Sequence, residues 1–363
     1  MTFQMFTLTY PRFQERLLSR RTLYFVDNKV FFRCQVAEHC ETCFDHPQPR
    51  RRVYNISNPL PAALNRKDVE GYGTLITHYS RCVMTNENDV LRAFAGLTRR
   101  FAQNLGYPIF QGLPTGIFDV AVLFRGKGLR RRVGFPSYSW AGWIGHIDNQ
   151  LMNNVELNQW LEKETWIIWH ERTAKGVHSP IWDPAPTAAF GGPGNRSYPR
   201  RLARESPFVE LGFSITPTAP REIVPPSGLD PFPSYPLLQF WTVSCLFGIG
   251  SIDVTHPVGT LVTRGDEICG AVFLDGFEQT SFFELDGSSY EVALLSKCRH
   301  PWPLVGGAYK YGSALNPGDD YYNVMLLEWN NGVAERRGIG SIRTKAITMG
   351  FEPGPVWKEI LLA

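Results

Sequence analysis

The chain has 363 residues, of which 43% are hydrophobic, 13% aromatic and 20% charged. This composition excludes an intrinsically disordered chain, because that class combines low hydrophobicity with high net charge, and the length allows two or three domains with sizeable cores. The formal net charge of +3 is too small to indicate nucleic acid or an anionic membrane surface as a partner, and we predict neither.

A short β-hairpin is predicted near the N-terminus. Residues 23–26 and 30–34 are rich in β-branched and aromatic side chains, and Asp27 and Asn28 stand between the two runs. Such runs on either side of turn residues are typical of strands that pair locally. We therefore expect two antiparallel strands at this point of the chain.

Cysteine and histidine cluster after this hairpin. Cys40 and Cys43 have the C-x-x-C spacing of tetrahedral zinc sites, and Cys34 and His46 are the candidates for a second ligand pair. Those two residues could reach the same ion only through a tight loop, and thiols that cluster by chance explain the pattern more simply. We therefore predict no metal and no cofactor, with these four residues as the alternative.

Two helices are predicted in the first third of the chain. Apolar residues recur at spacings of three and four over residues 87–103, which is the period of an amphipathic helix with one buried face. Asn86 or Asp89 could cap the N-terminus of this helix, and Gly106 could end it. A second helix is expected over residues 115–124, after a proline and before a glycine-containing turn.

Aromatic and hydroxyl-bearing residues alternate over residues 135–143. Trp140 and Trp143 could form an exposed binding ridge. Alternate side chains of an extended segment point to opposite faces, however, and one such face would fill a core where helices meet a sheet. We predict core positions for both tryptophans.

Two groups of charged residues are expected to have structural roles. The three arginines at residues 130–132 lack the interleaved aromatic residues that stack on nucleic-acid bases, so we expect a solvated loop there. Arg81 and Asp89 lie close to the predicted start of a helix. We expect a buried or half-buried polar link between them rather than contact with a ligand.

The second half of the chain is predicted to be rich in β-structure. Residues 173–236 contain many of the 27 prolines together with glycine runs, as a linker or loop region does. From residue 237 onward, strand-forming runs are interrupted by Asp-Gly and Asn-Gly turns. This spacing is typical of antiparallel strands in a sandwich or barrel.

The predicted fold class is therefore α+β. A mixed N-terminal half with a few helices and a hairpin is followed by an antiparallel β-rich C-terminal domain that is sandwich-like or barrel-like. We expect the chain to be divided into four segments, which are residues 1–45, 46–172, 173–236 and 237–363.

The strands on either side of Asn331 and Gly332 are predicted to pair as a hairpin. A two-residue turn would place Glu328 directly opposite Glu335, and like charges in that position are destabilising. We therefore predict a bulged turn instead, which would bring Glu335 or Arg336 opposite leucines of the first strand.

Several segments of the chain resemble parts of one known family. Residues 13–25 contain a Q-E-R-L-L-S-x-R pattern, and later segments read Y-S-R, G-L-P-x-x-x-F-D, P-S-Y-S-W-A-G-W and L-E-W-x-x-G-V-A-E-R. In this order they resemble segments of fungal heterokaryon-incompatibility (HET) proteins, whose HET domain is similar to Toll/interleukin-receptor (TIR) domains. The residues that carry the resemblance are Gln14, Glu15, Arg16, Tyr79, Ser80, Arg81, Asp89, Gly112, Leu113, Pro114, Asp119, Pro136, Ser137, Trp140, Gly142, Glu328, Trp329, Glu335 and Arg336.

The resemblance implies a role in non-self recognition, in which a cell-death reaction follows the fusion of genetically different fungal cells. The departures from the family concern the N-terminus. Residues 9–12 read Thr-Tyr-Pro-Arg where the family has Arg-Gly-Trp-Thr, and the family's opening L-S-Y-x-W-G block is not in the sequence. We therefore expect that only the last segment of the HET domain is encoded here and that the effector fold is truncated.

These features favour a non-enzymatic regulatory or interaction protein whose partner is another protein. One alternative is a TIR-like nucleotide hydrolase whose N-terminal part lies outside this sequence, with Glu15 as general acid or base. A second alternative is a β-rich ligand-binding module that uses Trp241, Trp302 or Trp329. The sequence contains no nucleophile elbow, P-loop or dinucleotide-binding fingerprint.

The sequence is also interpreted as that of a cytoplasmic protein. The N-terminus lacks the basic region and apolar run of a signal peptide. Seven cysteines form no dense framework, so we expect reduced thiols. The least polar run, residues 240–252, is interrupted by polar residues and glycine and is shorter than the roughly 18 residues of a membrane span.

Overall fold

The computed structural model of the protein describes residues 13, 17–26, 29–34, 38–41, 69–148, 154–173, 178–181, 208, 211–213, 233–253, 255, 257–276, 289–298 and 319–363. These residues form helices and strands, with a large, mainly antiparallel sheet of nine strands. Most strands of that sheet lie after residue 236, so the predicted α+β class is confirmed in this general form. Within the described ranges, no helix combines the length and the apolar character that crossing a membrane requires.

The predicted N-terminal hairpin is confirmed. β1 (Arg21–Val26) and β2 (Lys29–Cys34) pair antiparallel, and β3 (Glu38–Cys40) pairs antiparallel with β2. The side chains of Leu23 and Phe25, which share one face of β1, are exposed. This small sheet is separate from the nine-stranded sheet.

The elements between residues 69 and 181 are short and mostly local. In chain order they are α1 (Val69–Tyr79), α2 (Ala95–Leu105), β4 (Ile109–Phe110), β5 (Leu113–Pro114), α3 (Phe118–Ala121), β6 (Arg125–Arg131), β7 (Trp143–Asp148), α4 (Asn154–Lys163), β8 (His170–Arg172) and β9 (His178–Pro180). β4 pairs with β5 and β6 pairs with β7, whereas β8 and β9 belong to the large sheet.

Both helices predicted in this region form, but with different bounds. α2 begins at Ala95, because Glu87–Asp89 form a separate 3-10 turn in which the side chain of Asn86 accepts a hydrogen bond from the Asn88 amide. The predicted end is confirmed, since Gly106 closes α2 in a left-handed conformation with φ of 78°. The second predicted helix is reduced to a 3-10 turn followed by the four-residue α3.

The large sheet is built mainly from the C-terminal strands. They are β10 (Leu237–Asp253), β11 (Val258–Val262), β12 (Ile268–Leu274), β13 (Ser289–Cys298), β14 (Tyr321–Asn330), β15 (Val333–Arg343) and β16 (Phe351–Leu362). Neighbours follow the order β11-β12-β15-β14-β13-β10, and β11 also pairs with β10. These six strands therefore form a closed circuit of hydrogen-bonded neighbours, and β16 pairs with the first part of β10.

Alternate side chains of the sheet contribute to two hydrophobic cores. One set, which includes Val243, Phe247 and Leu294, forms the sheet core, made mainly from the strands themselves. The opposite set, which includes Phe240 and Met325, packs on residues that precede position 182 and forms the shared core. The shared core therefore joins the two halves of the chain across the proline-rich region.

Close approach of β12 and β15 requires glycine. A Cβ atom at Gly340 would lie 2.1 Å from the carbonyl oxygen of Ala271, far inside van der Waals contact. Gly340 pairs with Val272 in the register of the two strands. The lack of a side chain at Gly340 therefore allows β12 and β15 to pack this closely.

The bulged turn predicted between β14 and β15 is wrong, although Arg336 does lie opposite Leu327, as predicted. Asn331 and Gly332, with φ of 50° and 80°, form a two-residue turn, and Glu328 lies opposite Glu335. The bulge lies further from the turn and on β15, because Leu327 pairs with Arg336 and Leu326 with Gly338, which leaves Arg337 as the extra residue. Positive φ at both turn positions is the geometry that matches the twist of a tight hairpin, and each glutamate has a guanidinium partner that offsets the repulsion.

Candidate functional site: a buried arginine junction

The first group of motif residues forms an aromatic cluster in the shared core. Tyr79 is buried and donates its hydroxyl proton to the carbonyl oxygen of Val90 across 2.7 Å. Trp140 lies edge-on to Tyr79 with a centroid distance of 5.8 Å. The indole nitrogen of Trp140 donates to the carbonyl oxygen of Gly112 at 2.9 Å, and the hydroxyl of Tyr72 donates to the same oxygen. Three separate motifs thus meet here.

Glycine at position 112 is required by this cluster. Its φ is 82°, and a Cβ atom there would lie 2.9 Å from the indole nitrogen of Trp140. Gly142 is similarly constrained, since its Cβ would lie 2.1 Å from the carbonyl oxygen of Pro136. The motif glycines therefore allow close backbone packing around Trp140.

Ser137 connects the aromatic segment to the sheet. Its hydroxyl donates to the carbonyl oxygen of Ala363 and accepts a hydrogen bond from the backbone amide of Arg336 at 2.9 Å. The backbone amide of Ser137 also donates to Ala363, at 2.9 Å. Ser137 is fully buried, so both functions of its hydroxyl are used inside the protein.

Arg336 is the centre of the junction. Its side chain is fully buried, and Nε donates to Oδ2 of Asp275 at 2.7 Å. Nη1 donates to the carbonyl oxygen of Val122 at 2.8 Å, and Nη2 donates to that of Phe124. The guanidinium carbon also lies 3.8 Å from the centre of the Phe124 ring. We call Arg336, Asp275, Ser137 and the residues 122–124 that follow α3 the arginine junction.

The electrostatics of the arginine junction are those of a desolvated ion pair. Burial raises the pKa of Asp275, and the charge and hydrogen bond of Arg336 act in the opposite direction. Among the described residues, Oδ1 of Asp275 has no hydrogen-bond partner. Removal of one partner from such a pair leaves an uncompensated charge in the interior, and this is the costly change.

The arginines at 131 and 132 are not in a solvated loop, so that prediction is wrong. Arg132 is buried and donates to the carbonyl oxygens of Ala141 and Trp143 at 2.6 and 3.0 Å. Arg131 donates to the carbonyl oxygens of Phe135 and Gly142, and its guanidinium lies 5.7 Å from the Trp143 ring. Backbone carbonyls of the 135–143 segment attract both side chains inward. Arg130 is exposed and pairs with Glu87.

The core positions predicted for Trp140 and Trp143 are confirmed, since both tryptophans are buried. The indole nitrogen of Trp143 donates a hydrogen bond to the carbonyl oxygen of Ser137 at 2.8 Å. Asp119 is buried and accepts from the indole nitrogen of Trp169 at 3.2 Å. Leu113 and Pro114 are buried in β5. These motif residues form contacts inside the shared core.

The predicted link between Arg81 and Asp89 does not form. Asp89 is bound by Arg92 and by the side chain of Asn86. Arg81 is exposed and instead lies 2.6 Å from the imidazole of His146. Formation of the separate 3-10 turn supplies Asp89 with local donors, which satisfies it without Arg81. Ser80, the neighbouring motif residue, accepts a hydrogen bond from the backbone amide of Ile147.

The motif residues of the β14–β15 hairpin lie near the surface, except Arg336. Glu328 is exposed and pairs with Arg337, and Glu335 is half-buried beside Arg131. Trp329 is half-buried, and its indole nitrogen donates to Glu291 at 2.6 Å. The Nζ atom of Lys358 lies 4.1 Å from the centre of the Trp329 ring, so this face of the indole is occupied.

Two of the three tryptophans of the ligand-binding alternative lie within the described residues, on the strands β10 and β14. Trp241 is half-buried on β10, and among the described residues its indole nitrogen has no hydrogen-bond partner. Trp329 makes the contacts with Glu291 and Lys358 given above. Trp302 lies outside the described residues.

The metal candidates and the N-terminal motif fall largely outside the described ranges. Cys43, His46, Gln14, Glu15 and Arg16 are all outside them. Cys34 ends β2, whereas Cys40 pairs with Phe31, and this register separates the two cysteines by roughly 10 Å along the strand. Among the residues that are described, no group of three or more His, Cys, Asp or Glu side chains is placed to hold a metal ion.

Sequence patterns did not reveal the partner of Arg336. Asp275 precedes Gly276 and predicts only a turn, and it is 61 residues from Arg336 in the chain. The arginine itself lies within a motif segment, but a charged residue on a strand usually predicts an exposed position. Arg336 is the middle one of three consecutive charged residues, so no local signal distinguishes it from Glu335 and Arg337.

A search of protein-family models, curated proteins and solved structures found no match to the chain.

Proposed function

We propose that this chain is a non-enzymatic regulatory or interaction protein of the heterokaryon-incompatibility type, which acts in the cytoplasm in non-self recognition linked to cell death. The observation that carries the proposal is the arginine junction. There, residues of the P-S-Y-S-W-A-G-W and V-A-E-R motifs bind each other through Ser137 and Arg336.

The chemistry of the junction supports a structural use of these motifs. The hydroxyl of Ser137 both donates and accepts inside the protein, and all three nitrogens of the Arg336 guanidinium are engaged. A nucleophile or a general acid needs a free functional atom within reach of a substrate. These motif residues instead hold the helical region on the sheet, as a scaffold for contacts with another protein does.

The finer architecture belongs to the same proposal. We infer that the closed strand circuit is barrel-like, with the sheet core as its interior and the shared core on its outer face. The helical region would then cover one side of the barrel, and the arginine junction would fix its orientation. Partner-binding surfaces would come from the parts of the barrel that this region leaves uncovered.

The enzymatic alternative gives a direct experiment. The purified 363-residue chain is incubated with NAD⁺, and the release of nicotinamide is measured by chromatography, with Glu15→Gln as the matched variant. We expect no turnover by either protein. Turnover by the wild-type chain would reject the non-enzymatic proposal, and its loss in Glu15→Gln would identify a TIR-like hydrolase that uses this residue.

The biological part of the proposal requires a cellular measurement. The chain and the junction variant Arg336→Met are expressed in a filamentous fungus, and cell viability is scored after fusion with genetically different strains. We expect the wild-type chain to change the frequency of cell death and the variant to lose that effect. Equal viability with the wild-type chain and with an empty vector, at confirmed expression, would reject a role in incompatibility.

A further inference from the structure

A cluster of basic side chains outside the arginine junction lies where α1 meets β7. His78 is in the last turn of α1, Arg81 follows that helix, and His146 is on β7. Nη2 of Arg81 lies 2.6 Å from Nε2 of His146. Because a guanidinium can only donate, Nε2 must accept, and His146 is therefore neutral in this arrangement with its proton on Nδ1.

The backbone that carries these three basic residues is held in place by a hydrogen bond and by buried neighbours. The amide of Ile147 donates to the hydroxyl of Ser80 at 3.0 Å, which fixes β7 beside the end of α1. Ile147 and Tyr79, the neighbours of His146 and Ser80 in the chain, are fully buried in the shared core. The three basic groups thus extend from a packed base, while Arg81 is exposed and both histidines are half-buried.

The charged groups around His146 are mainly positive. Lys127 on β6 lies directly opposite His146 in the strand register, and directly opposite residues of an antiparallel pair share one face. Asp148, on the same strand as His146, is ion-paired with Arg125 of β6 at 3.0 Å. Arg81 therefore supplies a permanent charge that acts on both imidazoles, and Lys127 adds a second permanent charge on the face of β6 and β7 that carries His146.

The titration of the two histidines reflects these surroundings. Burial, and then the positive charge of Arg81, lower the pKa of both His78 and His146, and Asp148 partly opposes the effect at His146. When His146 gains a proton, its Nε2 can no longer accept from Arg81. Acidification therefore frees the Arg81 donors and adds positive charge at the same place.

We propose that His78, Arg81, His146 and Lys127 form a binding site for a phosphate group, which is occupied when the imidazoles are protonated. A phosphate monoester, whose second pKa is about 6, has a charge between about −1 and −1.5 at pH 5.5 and three acceptor oxygens, which match the donors of a guanidinium, two imidazolium rings and an ammonium group. The site is independent of the proposed regulatory function. The phosphate belongs either to a free molecule or to a lipid headgroup.

The experiment uses the full chain and follows the imidazole resonances of His78 and His146 by NMR at pH 5.5 and 7.5. Inorganic phosphate and sulfate are the probes, and sulfate keeps the same charge at both pH values, so its pH dependence reports the protein. We expect both rings to shift on addition of either anion, and sulfate to bind at least tenfold more tightly at pH 5.5. The pKa of each ring should rise in the presence of the anion.

Matched variants assign the effect to the cluster. Arg81→Gln is expected to weaken sulfate binding at pH 5.5 at least tenfold, and Arg92→Gln, which removes an exposed arginine elsewhere, should bind as wild type does. His78→Gln combined with His146→Gln should abolish the pH dependence. The absence of any anion-induced shift in the folded wild-type protein at pH 5.5, or unchanged binding by Arg81→Gln, would overturn the proposal.

Vesicles distinguish the source of the phosphate. At pH 5.5, the chain is sedimented with neutral phosphatidylcholine vesicles that contain or lack a phosphoinositide. Binding that requires the phosphoinositide and Arg81 identifies a lipid headgroup. NMR shifts with inorganic phosphate, but no sedimentation, identify a free phosphate compound. Failure of both probes refutes the site, whatever the result of the NAD⁺ and viability experiments.

Discussion

Glu328 and Glu335 lie directly opposite each other across the β14–β15 hairpin, and each carboxylate is bound by a different arginine. Arg337, on the same strand as Glu335, donates to Glu328. Arg131, from β6, lies 3.4 Å from Glu335. Facing like charges are destabilising in an antiparallel pair, so the arginines compensate for a repulsion that the tight turn imposes.

Loss of one of these arginines should expose that repulsion. Arg337→Gln is expected to lower the free energy of unfolding by about 0.5–1 kcal/mol, the range of exposed charge pairs. The added change Glu328→Gln should restore part of the loss, because it removes the unpaired charge. Urea denaturation measures both effects, and Arg264→Gln, whose partner Glu352 is exposed, is the control. Further destabilisation by the second change would contradict this account.

The arginine junction should be a major source of stability. Arg336→Met is expected to cost about 3–5 kcal/mol, since it leaves Asp275 charged or newly protonated in the interior and removes the bonds to Val122 and Phe124. Asp275→Asn should also destabilise. The double variant should cost less than the sum of the two changes, because no unpaired charge remains.

Denaturant titrations of the single and double variants measure this coupling. Arg343→Gln serves as control, since Arg343 is partly exposed and pairs with the exposed Glu267, and it should cost less than 1 kcal/mol, as surface pairs do. Strict additivity of the Arg336 and Asp275 changes would show that the two side chains do not act as a pair.

The histidine cluster should make stability depend on pH. The pKa values of His78 and His146 are lowered from 6.5 in the folded protein, so the unfolded chain binds more protons in the window just below that value. Stability should therefore rise as the pH increases toward 6.5 and fall as the protein is acidified through this window.

Thermal unfolding between pH 5 and 7.5 in a buffer without phosphate measures this dependence. Combined replacement of His78 and His146 by glutamine should flatten the rise that the wild-type protein shows. His39→Gln is the control, because His39 is exposed on β3 of the separate N-terminal sheet. A double variant with the wild-type slope would show that other groups cause the pH dependence.

Gly340 should not tolerate a side chain. Gly340→Ala places a methyl group against the carbonyl oxygen of Ala271, and overpacking of this kind costs about 1–3 kcal/mol. Gly265→Ala is the control, since the nearest atom to its added Cβ is 3.9 Å away. Thermal denaturation of the two variants measures the difference. Equal melting temperatures would show that β12 and β15 can separate at this point without loss.

Several features could be predicted from local patterns because their causes are local. Turn residues between short apolar runs predicted the hairpin of β1 and β2, and Gly106 predicted the end of α2. Trp140 is buried as predicted, but not through the alternation that suggested it, because the segment forms turns and a 3-10 helix and Ser137 and Ser139 are buried as well. The start of α2 was misplaced because Asn86 can cap a 3-10 turn as well as an α-helix.

The sequence by itself determined the general α+β class and the positions of the hairpins, because strand, turn and cap preferences act over a few neighbouring residues. Only the tertiary structure decided that Arg336 is buried against Asp275, that Arg131 and Arg132 turn toward backbone carbonyls, and that Glu328 tolerates an opposing glutamate. In each case, a charge is stabilised by partners that are distant in the chain. Their proximity depends on how the shared core packs, and no local pattern contains that information.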